Sequence, residues 1–183
     1  MSETIKVGIT HGDVNGIGYE ILMKVLSDTR MLELFNPIIY GSPKSASYHR
    51  KVLNNNIVSF HFISKIEEAR KGKINLINCV EDEIKIELGK ASEEAGESAY
   101  LALERAVRDL AEHKIDLLVT LPIHKDTIQN EKFRFPGHTE YLEQCFSEND
   151  SKALMIMASD TLRVALVICQ RSEERRVGKE CRS

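Results

Sequence analysis

Short runs of apolar, mostly β-branched residues alternate with helical stretches along this chain, and this alternation limits the fold more than any other feature. Strands that alternate with helices pair in parallel and bury both faces of their sheet. The pattern therefore predicts an α/β fold built as a three-layer sandwich. The strands are predicted at residues 5–10, 37–40, 57–63, 74–79, 115–121, 153–157 and 162–169, and the helices after residues 16–18 and at residues 43–53, 98–113 and 140–146.

Three of these elements carry especially clear signals. Residues 98–113 repeat apolar side chains at helical spacing, which gives one apolar stripe. Residues 115–121 are almost continuously apolar, which is typical of a strand that is buried on both faces. Ser42 stands where it can cap a helix that begins at Pro43.

Size and composition place the chain in the soluble globular class. Its 183 residues suffice for one domain with a core, and 42% of them are hydrophobic against 29% charged. No apolar run approaches the roughly 20 residues that a membrane helix needs, and the first residues lack the segments of a signal peptide. The net charge of −3 does not indicate the basic surface that binding to nucleic acid requires. We expect neither a membrane nor a nucleic-acid partner, and a cytoplasmic location.

The last thirteen residues do not fit the pattern that precedes them. Residues 171–183 carry eight charged side chains and only two apolar ones, and no turn chemistry separates them from the apolar run before them. They are either a solvated terminus or a non-native tail, because they resemble the in-frame translation of a sequencing-library adapter. We favour the second interpretation. Residues 1–170 are then the N-terminal part of an α/β protein, and residues 171–183 are a disordered, non-native tail.

A glycine-rich segment, the glycine loop (residues 12–18), joins the first strand to the first helix and reads Gly-Asp-Val-Asn-Gly-Ile-Gly. Glycines permit a tight turn and the close approach of a ligand, and the free N–H groups at a helix start favour an anion. The spacing matches neither the dinucleotide fingerprint nor a Walker loop. A structural turn and a phosphate or cofactor contact are therefore equally supported.

Two polar runs occur later in the chain. The proline–lysine turn (residues 122–125) reads Pro-Ile-His-Lys directly after a predicted strand, and the histidine–threonine run (residues 137–140) reads Gly-His-Thr-Glu. In α/β sheets, ligands bind outside the carboxyl ends of the strands. An imidazole and a hydroxyl can hydrogen-bond a small polar substrate, and an ammonium group can neutralise a phosphate or carboxylate.

Helix capping is the alternative interpretation of the same two runs. Thr139 is placed to cap a helix at residues 140–146, and His124 or Asp126 is placed to begin another. The residues alone leave ligand binding and capping equally open.

The other histidines give weaker signals. His49 and His113 fall on predicted helices among polar neighbours, so we expect them at the surface, whereas His61 lies in a strand and is interpreted as structural. His11 adjoins the glycine loop and stays undecided. No C-x-x-C or H-x-x-x-H spacing occurs, so these residues predict no metal site.

Together these runs resemble the 4-hydroxythreonine-4-phosphate dehydrogenase family of vitamin B6 biosynthesis. The family pattern is a Gly-Asp-Pro-x-Gly-Ile-Gly-Pro-Glu loop, then a strand ending in Pro-x-x-Lys, then a Gly-His-Thr-Glu run. The likeness spans residues 4 to about 168 and implies the fold of isocitrate and isopropylmalate dehydrogenases. The chain carries, in this order, Gly12-Asp13, Gly16-Ile17-Gly18, Glu20, Pro122-Ile123-His124-Lys125 and Gly137-His138-Thr139-Glu140.

The resemblance implies NAD-dependent oxidation of 4-phosphooxy-L-threonine to a ketone, followed by decarboxylation, in pyridoxal 5'-phosphate biosynthesis. It also implies two cofactors, NAD and a divalent metal cation (Zn, Mg or Co), and a homodimer. By resemblance His138 and Thr139 bind substrate, and Lys125 contacts phosphate or transfers a proton. Analogy with related dehydrogenases suggests cofactor contacts at Asp13, Asn15 and Gly16.

Three positions depart from the family pattern. Val14 and Tyr19 stand where the family has proline, which should loosen the glycine loop. Gln170 stands where the family has its first metal histidine, beside the suspect tail. We therefore expect the chain alone to lack a proper metal site and to be inactive.

Two rival functions stay open. The first is a relative in the same family that acts on another phosphorylated four-carbon hydroxy acid. The second is a non-catalytic module that binds a phosphorylated ligand.

Overall fold

A computed structural model describes residues 4–80, 84–147 and 151–166 of the chain. The chain forms two compact units, Met1–Phe146 and Ser147–Ser183. The suspect tail and Gln170 lie outside the described residues. Among the helices of the described ranges, none combines the length and the apolar character needed to cross a lipid bilayer.

A sheet of five parallel strands forms the centre of the first unit. The strands are β1 Lys6–Thr10, β2 Asn36–Gly41, β3 Phe60–Ile63, β4 Ile74–Asn78 and β5 Leu117–Thr120. Their order across the sheet is β3-β4-β2-β1-β5. Thr10 lies opposite Tyr40 on one side and Thr120 on the other, so β1, β2 and β5 end at the same edge. The predicted parallel α/β sheet is confirmed for this unit.

Helices follow most of these strands. They are α1 Gly18–Leu26, α2 Met31–Leu34, α3 Pro43–Val52, α4 Glu93–Ala111 and α5 His138–Phe146. The predicted cap of α3 is confirmed, because Ser42 Oγ accepts a hydrogen bond from Ser45 N at 3.3 Å. Helix α4 begins earlier than the predicted start at residue 98, because Ser92 Oγ caps it by accepting from Ala95 N at 3.2 Å. The sequence pattern does not predict the short helix α2.

The helices cover both faces of the sheet, which gives the predicted three layers. On one face, Ile39 of β2 packs in a cluster with Leu22 of α1 and Ala46 of α3. On the other face, Ile38 packs with Ala102 of α4. Successive residues of β2 thus contribute to opposite layers, as the alternation of side chains along a strand requires.

Strand β5 departs from its prediction of burial on both faces. It lies at the edge of the sheet, and the side chains of Leu117 and Val119 are 54% and 45% exposed. Leu118, which points to the opposite face, packs against the clusters on the α4 side. The apolar run makes both faces of strand β5 suitable for burial. In the described part of the chain, however, other residues cover only one of these faces.

Within the first unit, helix α5 packs against α4 through aromatic side chains. Tyr141 of α5 lies with its ring centroid 5.2 Å from Phe133 and 5.3 Å from Phe135, and 6.4 Å from Tyr100 of α4. Such tilted and edge-to-face pairs add to the energy of apolar burial. This aromatic cluster (Tyr100, Phe133, Phe135 and Tyr141) fixes the start of α5 on α4.

The second unit holds an antiparallel pair, β6 Met155–Ala158 and β7 Arg163–Leu166. The prediction that strands pair in parallel is wrong for these two strands. Only four residues separate β6 from β7, and Ser159 N donates to Leu162 O at 2.7 Å to close the turn. A link this short permits a hairpin, whereas a parallel crossover needs a dozen residues or more. The end of the predicted strand at residues 167–169 lies outside the described residues.

Candidate functional site

The glycine loop and the proline–lysine turn are joined at the carboxyl ends of β1 and β5. Asp13 N donates to Pro122 O at 2.9 Å. Gly12 has a φ of +68°, and a Cβ at this position would overlap Pro122 O and lie 3.0 Å from the Leu121 carbonyl carbon. Glycine is therefore required here both by the backbone conformation and by the close approach of the second loop.

Asn15 ties the glycine loop to the segment that precedes α4. Its side chain is buried, and its amide nitrogen donates to Lys90 O at 2.9 Å and to Ser92 Oγ at 3.2 Å. Its amide oxygen accepts from Glu87 N at 2.8 Å. Asn15 thus uses both of its amide donors within the chain and sets the shape of the loop, as a structural turn requires.

Two histidines lie buried beneath the glycine loop. His11 Nε2 donates to Ser98 O at 3.2 Å, and His49 Nε2 donates to Val14 O at 2.7 Å. Burial lowers the pKa of His11 to about 4 and also lowers the pKa of His49, so both rings are neutral near pH 7. The prediction that His49 is exposed is wrong, because the face of α3 that carries it packs under the loop, whereas His113 is exposed as predicted.

The two residues that replace family prolines are packed rather than loose. Val14 and Tyr19 are fully buried, and the Tyr19 ring stacks on His49 with centroids 4.8 Å apart. Tyr19 Oη donates to Ser42 O at 3.2 Å. The expected loosening of the glycine loop is therefore not seen, because the larger side chains fill space between α1 and α3. The sequence alone gives no signal for this packing, because the residues in contact are far apart in the chain. Gly41 is one of them, since a Cβ at this position would lie only 2.8 Å from Tyr19 Oη.

The proline–lysine turn presents its polar side chains to solvent. His124 and Lys125 are exposed, and Lys125 makes no ion pair with any described residue. His124 Nδ1 accepts from Thr127 N at 3.4 Å, and His124 O accepts from Ile128 N at 3.2 Å. These bonds close a turn at residues 125–128, but no helix begins there in the described structure, so the prediction that His124 or Asp126 begins a helix is wrong. The Lys125 ammonium is available to an anion.

The histidine–threonine run forms the first turn of α5. The helix begins at His138, so Thr139 lies within the helix, exposed, rather than at the capping position before it. His138 Nε2 is buried and has no hydrogen-bond partner among the described residues. Burial lowers the pKa of His138, so the ring is a neutral imidazole with one unused nitrogen. An unpaired buried nitrogen of this kind is a candidate for a ligand contact.

The aromatic cluster holds the two downstream runs together. Ile123 of the proline–lysine turn and Phe135, just before the histidine–threonine run, both pack against it. Gln129 Nε2 donates to Phe135 O at 2.6 Å and links the chain between them. Together with the Asp13–Pro122 bond, these contacts connect all three runs that the sequence singles out.

The connected runs offer a neutral imidazole, a hydroxyl, an ammonium and the carboxylate of Asp13. The imidazole, hydroxyl and ammonium groups suit an anionic substrate, and the Asp13 carboxylate can accept a hydrogen bond from a substrate hydroxyl. The described residues contain no group of three His, Cys, Asp or Glu side chains that could hold a metal ion. A cleft of about 480 Å³ lies nearby, but it is lined by none of the predicted site residues and by the acidic Glu93, Glu97, Asp126 and Glu131. Its charge does not suit a phosphorylated ligand.

Comparison with known proteins adds three findings. The family model described as pyridoxal phosphate biosynthetic protein PdxA matches residues 33–170. A 4-hydroxythreonine-4-phosphate dehydrogenase of Bacteroides thetaiotaomicron is 50% identical over 163 residues, which cover 89% of this chain and 44% of that protein. A putative D-threonate 4-phosphate dehydrogenase of Oceanobacillus iheyensis is 32% identical, over 90% of this chain and 49% of that protein.

Solved structures agree with the sequence matches. The crystal structure of a 4-hydroxythreonine-4-phosphate dehydrogenase from Burkholderia phymatum superimposes with a TM-score of 0.77 and 27% identity, covering 90% of this chain and 49% of that one. The chain therefore spans about half the length of the relatives it matches.

Proposed function

The chain belongs to the pyridoxal phosphate biosynthetic protein PdxA family, and from this premise we propose that the whole protein is a 4-hydroxythreonine-4-phosphate dehydrogenase. One observation carries the proposal. The relative that is 50% identical to this chain over 163 aligned residues bears that name, and the match extends over 89% of the chain.

The reaction removes two hydrogens from the secondary alcohol of 4-phosphooxy-L-threonine and then releases carbon dioxide from the resulting β-keto acid. Bound NAD would accept the hydride from carbon. The neutral His138 imidazole can hydrogen-bond the substrate through its unused Nε2, and the exposed Thr139 hydroxyl can donate or accept beside it. Lys125 can neutralise the phosphate or carboxylate, or transfer a proton.

Asp13, Asn15 and Gly16 are proposed to lie near the cofactor. Their support is the position of the glycine loop at the carboxyl end of β1, where ligands of parallel sheets bind. Asp13 and Gly16 are partly exposed, so they are accessible to a ligand, whereas buried Asn15 would act by holding the loop.

A divalent metal, a homodimer and a cytoplasmic location complete the proposal. The first two rest on the family resemblance, and the location is the expectation drawn from the sequence pattern. The described residues do not supply a metal-ligand group, so no step of the reaction is assigned to a metal here.

The test is NADH production from 4-phosphooxy-L-threonine by a form that spans the full length of the relatives, with and without His138→Ala. We expect the variant to lose about 10- to 100-fold in kcat/KM, the equivalent of one hydrogen bond to a charged ligand. His113→Ala is the matched control, because it removes an exposed histidine beyond the end of α4. If turnover and substrate affinity both stayed near wild type in His138→Ala, the assignment of His138 would be abandoned.

A second candidate substrate is D-threonate 4-phosphate. It is favoured by the relative of Oceanobacillus iheyensis, whose name contains this compound. The two substrates differ at C2, which carries an amine in one and a hydroxyl in the other. Assaying both with the same enzyme separates the candidates, since an enzyme for D-threonate 4-phosphate would turn over that compound with the higher kcat/KM. Binding of either compound without NADH production would instead favour a non-catalytic module.

A further inference from the structure

The start of α4, with its cap Ser92, contacts the glycine loop and residues that adjoin each of the three runs of the candidate site. On one side, Ser92 Oγ accepts from the Asn15 amide and Ser98 O accepts from His11 Nε2, which attaches the glycine loop. Further along, Tyr100 packs against Tyr141, which attaches the start of α5. Between these contacts, Gly96 faces the residues that directly follow the proline–lysine turn.

Gly96 makes the closest of these approaches. A Cβ on Gly96 would overlap the carbonyl group of Thr127 and lie 2.8 Å from Ile128 N. The atoms in the way belong to the backbone, so rotation of a side chain cannot make room for a methyl group. Glycine is a poor helix former, and the φ of Gly96 lies outside the left-handed region. The conformation of α4 therefore does not explain why glycine stands at position 96. Close approach of the second backbone is the remaining reason.

The position of Thr127 determines the position of the turn before it. Thr127 N donates to His124 Nδ1 at 3.4 Å, and Thr127 Oγ1 donates to His124 O at 3.3 Å. Ile128 N also donates to His124 O. With Thr127 held against α4 and Pro122 held by Asp13, the turn is fixed at both ends, and Lys125 lies between them.

We propose that Gly96 is a positioning residue. Because it has no side chain, the backbone at residues 127–128 can lie directly on α4, and this contact sets where the turn that carries Lys125 lies. What Lys125 binds rests on the proposed function, whereas its placement by Gly96 does not.

The test is Gly96→Ala in the 183-residue chain, followed through the ring signals of the histidines by NMR. The chain has six histidines, so His124→Gln and His113→Gln assign the two signals that matter. We expect Gly96→Ala to move the His124 signal, because its Thr127 partner is displaced, and to leave that of His113 unchanged. Glu94→Ala is the matched control, an exposed substitution on the same turn of α4 that should move neither signal.

The melting temperature gives an independent readout of the same variant. Alanine is the better helix former, so without the contact the substitution would raise the melting temperature. We expect a decrease instead. An unmoved His124 signal in a folded variant, or an increased melting temperature, would overturn the inference.

A milder variant keeps the inference testable if Gly96→Ala does not fold. Ser92→Ala removes the cap, together with the bond from the Asn15 amide, and opens the first turn of α4. We expect faster amide hydrogen exchange at residues 93–97 and also at residues 124–128, with no change at residues 106–111. Faster exchange in α4 with unchanged exchange at residues 124–128 would refute the coupling.

Titration with inorganic phosphate separates this inference from the proposed function. If phosphate moves the His124 signal in the wild type, and both Lys125→Ala and Gly96→Ala weaken that response several-fold, both ideas are supported. A response that is lost in Lys125→Ala but unchanged in folded Gly96→Ala would overturn the positioning role. A wild-type signal that does not respond would count against the phosphate role of Lys125, while the signal shift and the exchange data would still decide the role of Gly96.

Discussion

The glycine loop follows β1 and the two downstream runs follow β5 along the chain, yet the two regions use their polar groups in opposite ways. Asn15, His11 and His49 are buried around the glycine loop and bond mostly to backbone atoms of this chain. Lys125 and Thr139 are exposed, and His138 Nε2 has no partner among the described residues. The polar groups around the glycine loop form hydrogen bonds within the chain, whereas those of the downstream runs have donors and acceptors without a partner in the described structure.

This difference teaches that one family motif can have its polar groups paired within the chain while another leaves polar groups unpaired in the described structure. A buried polar group is stable only when it is paired, so the bonds of Asn15 explain its presence without any ligand. The contrast is not complete, because Thr10 Oγ1 and His11 Nδ1 are also buried without a partner in the described structure. Substitutions in the two regions should therefore differ in kind, with stability affected in the first and ligand binding in the second.

The largest effect is expected from Gly12→Ala. It forces a side chain into a φ of +68° and against Pro122 O, which should reduce the free energy of unfolding by about 4 kcal/mol. Gly72→Ala is the matched control, because its φ of +74° is similar but no atom lies within 4 Å, so only about 1 kcal/mol should be lost. Chemical denaturation measures both, and equal losses would mean that the contact between the two loops is unimportant.

A somewhat smaller effect is expected from the buried His11 as the pH falls. Its pKa is about 4 in the folded chain against an ordinary value of 6.5, so between these values only the unfolded chain binds the proton. The free energy of unfolding should therefore be unaffected by His11 above pH 6.5 and decrease below it, by about 3 kcal/mol in total at pH 4.

His11→Gln keeps an amide donor for Ser98 O but cannot take up this proton. Its stability should fall less steeply than that of the wild type between pH 6.5 and 4, as measured by denaturant titration at each pH. His113→Gln, which replaces an exposed histidine, controls for the loss of an imidazole. Parallel curves for His11→Gln and the wild type would contradict the burial of His11.

Asn15→Ala should cost about 2 kcal/mol, because three partly buried groups, Lys90 O, Ser92 Oγ and Glu87 N, lose their bond to the Asn15 amide. The melting temperature and the denaturant midpoint should both decrease. Hydrogen exchange should become faster at residues 87–92, which Asn15 holds against the glycine loop. A loss of cofactor binding without any loss of stability would instead mean that Asn15 acts directly on a ligand.

The smallest effect on stability is expected in the second region. Lys125→Ala and Thr139→Ala remove exposed side chains that make no hydrogen bond or ion pair with other described residues, so the free energy of unfolding should change by no more than about 0.5 kcal/mol. Both substitutions should weaken binding of a phosphorylated ligand. A stability loss as large as that of Asn15→Ala would remove the distinction between the two regions.

Much of the fold follows from local pattern. The five parallel strands, the cap of α3 at Ser42 and the apolar stripe of α4 all depend on residues close in sequence, so periodicity and capping rules predict them. The start of α4 was harder to predict, because polar residues 93–97 lack the apolar period and only the Ser92 cap marks the true beginning. The pairing of β6 with β7 depended on the length of their link rather than on composition.

The candidate site, like the fold, was predictable from the sequence only in part. The sequence by itself determined which polar residue types follow β1 and β5 along the chain, because motif order is a local property. His138, Thr139 and Lys125 are named by it without coordinates. Only the tertiary structure decided that His49 is buried, that Tyr19 packs instead of loosening the glycine loop, and that Gly96 lies on Thr127. These contacts join residues far apart in the chain, and burial depends on what the fold brings next to a side chain.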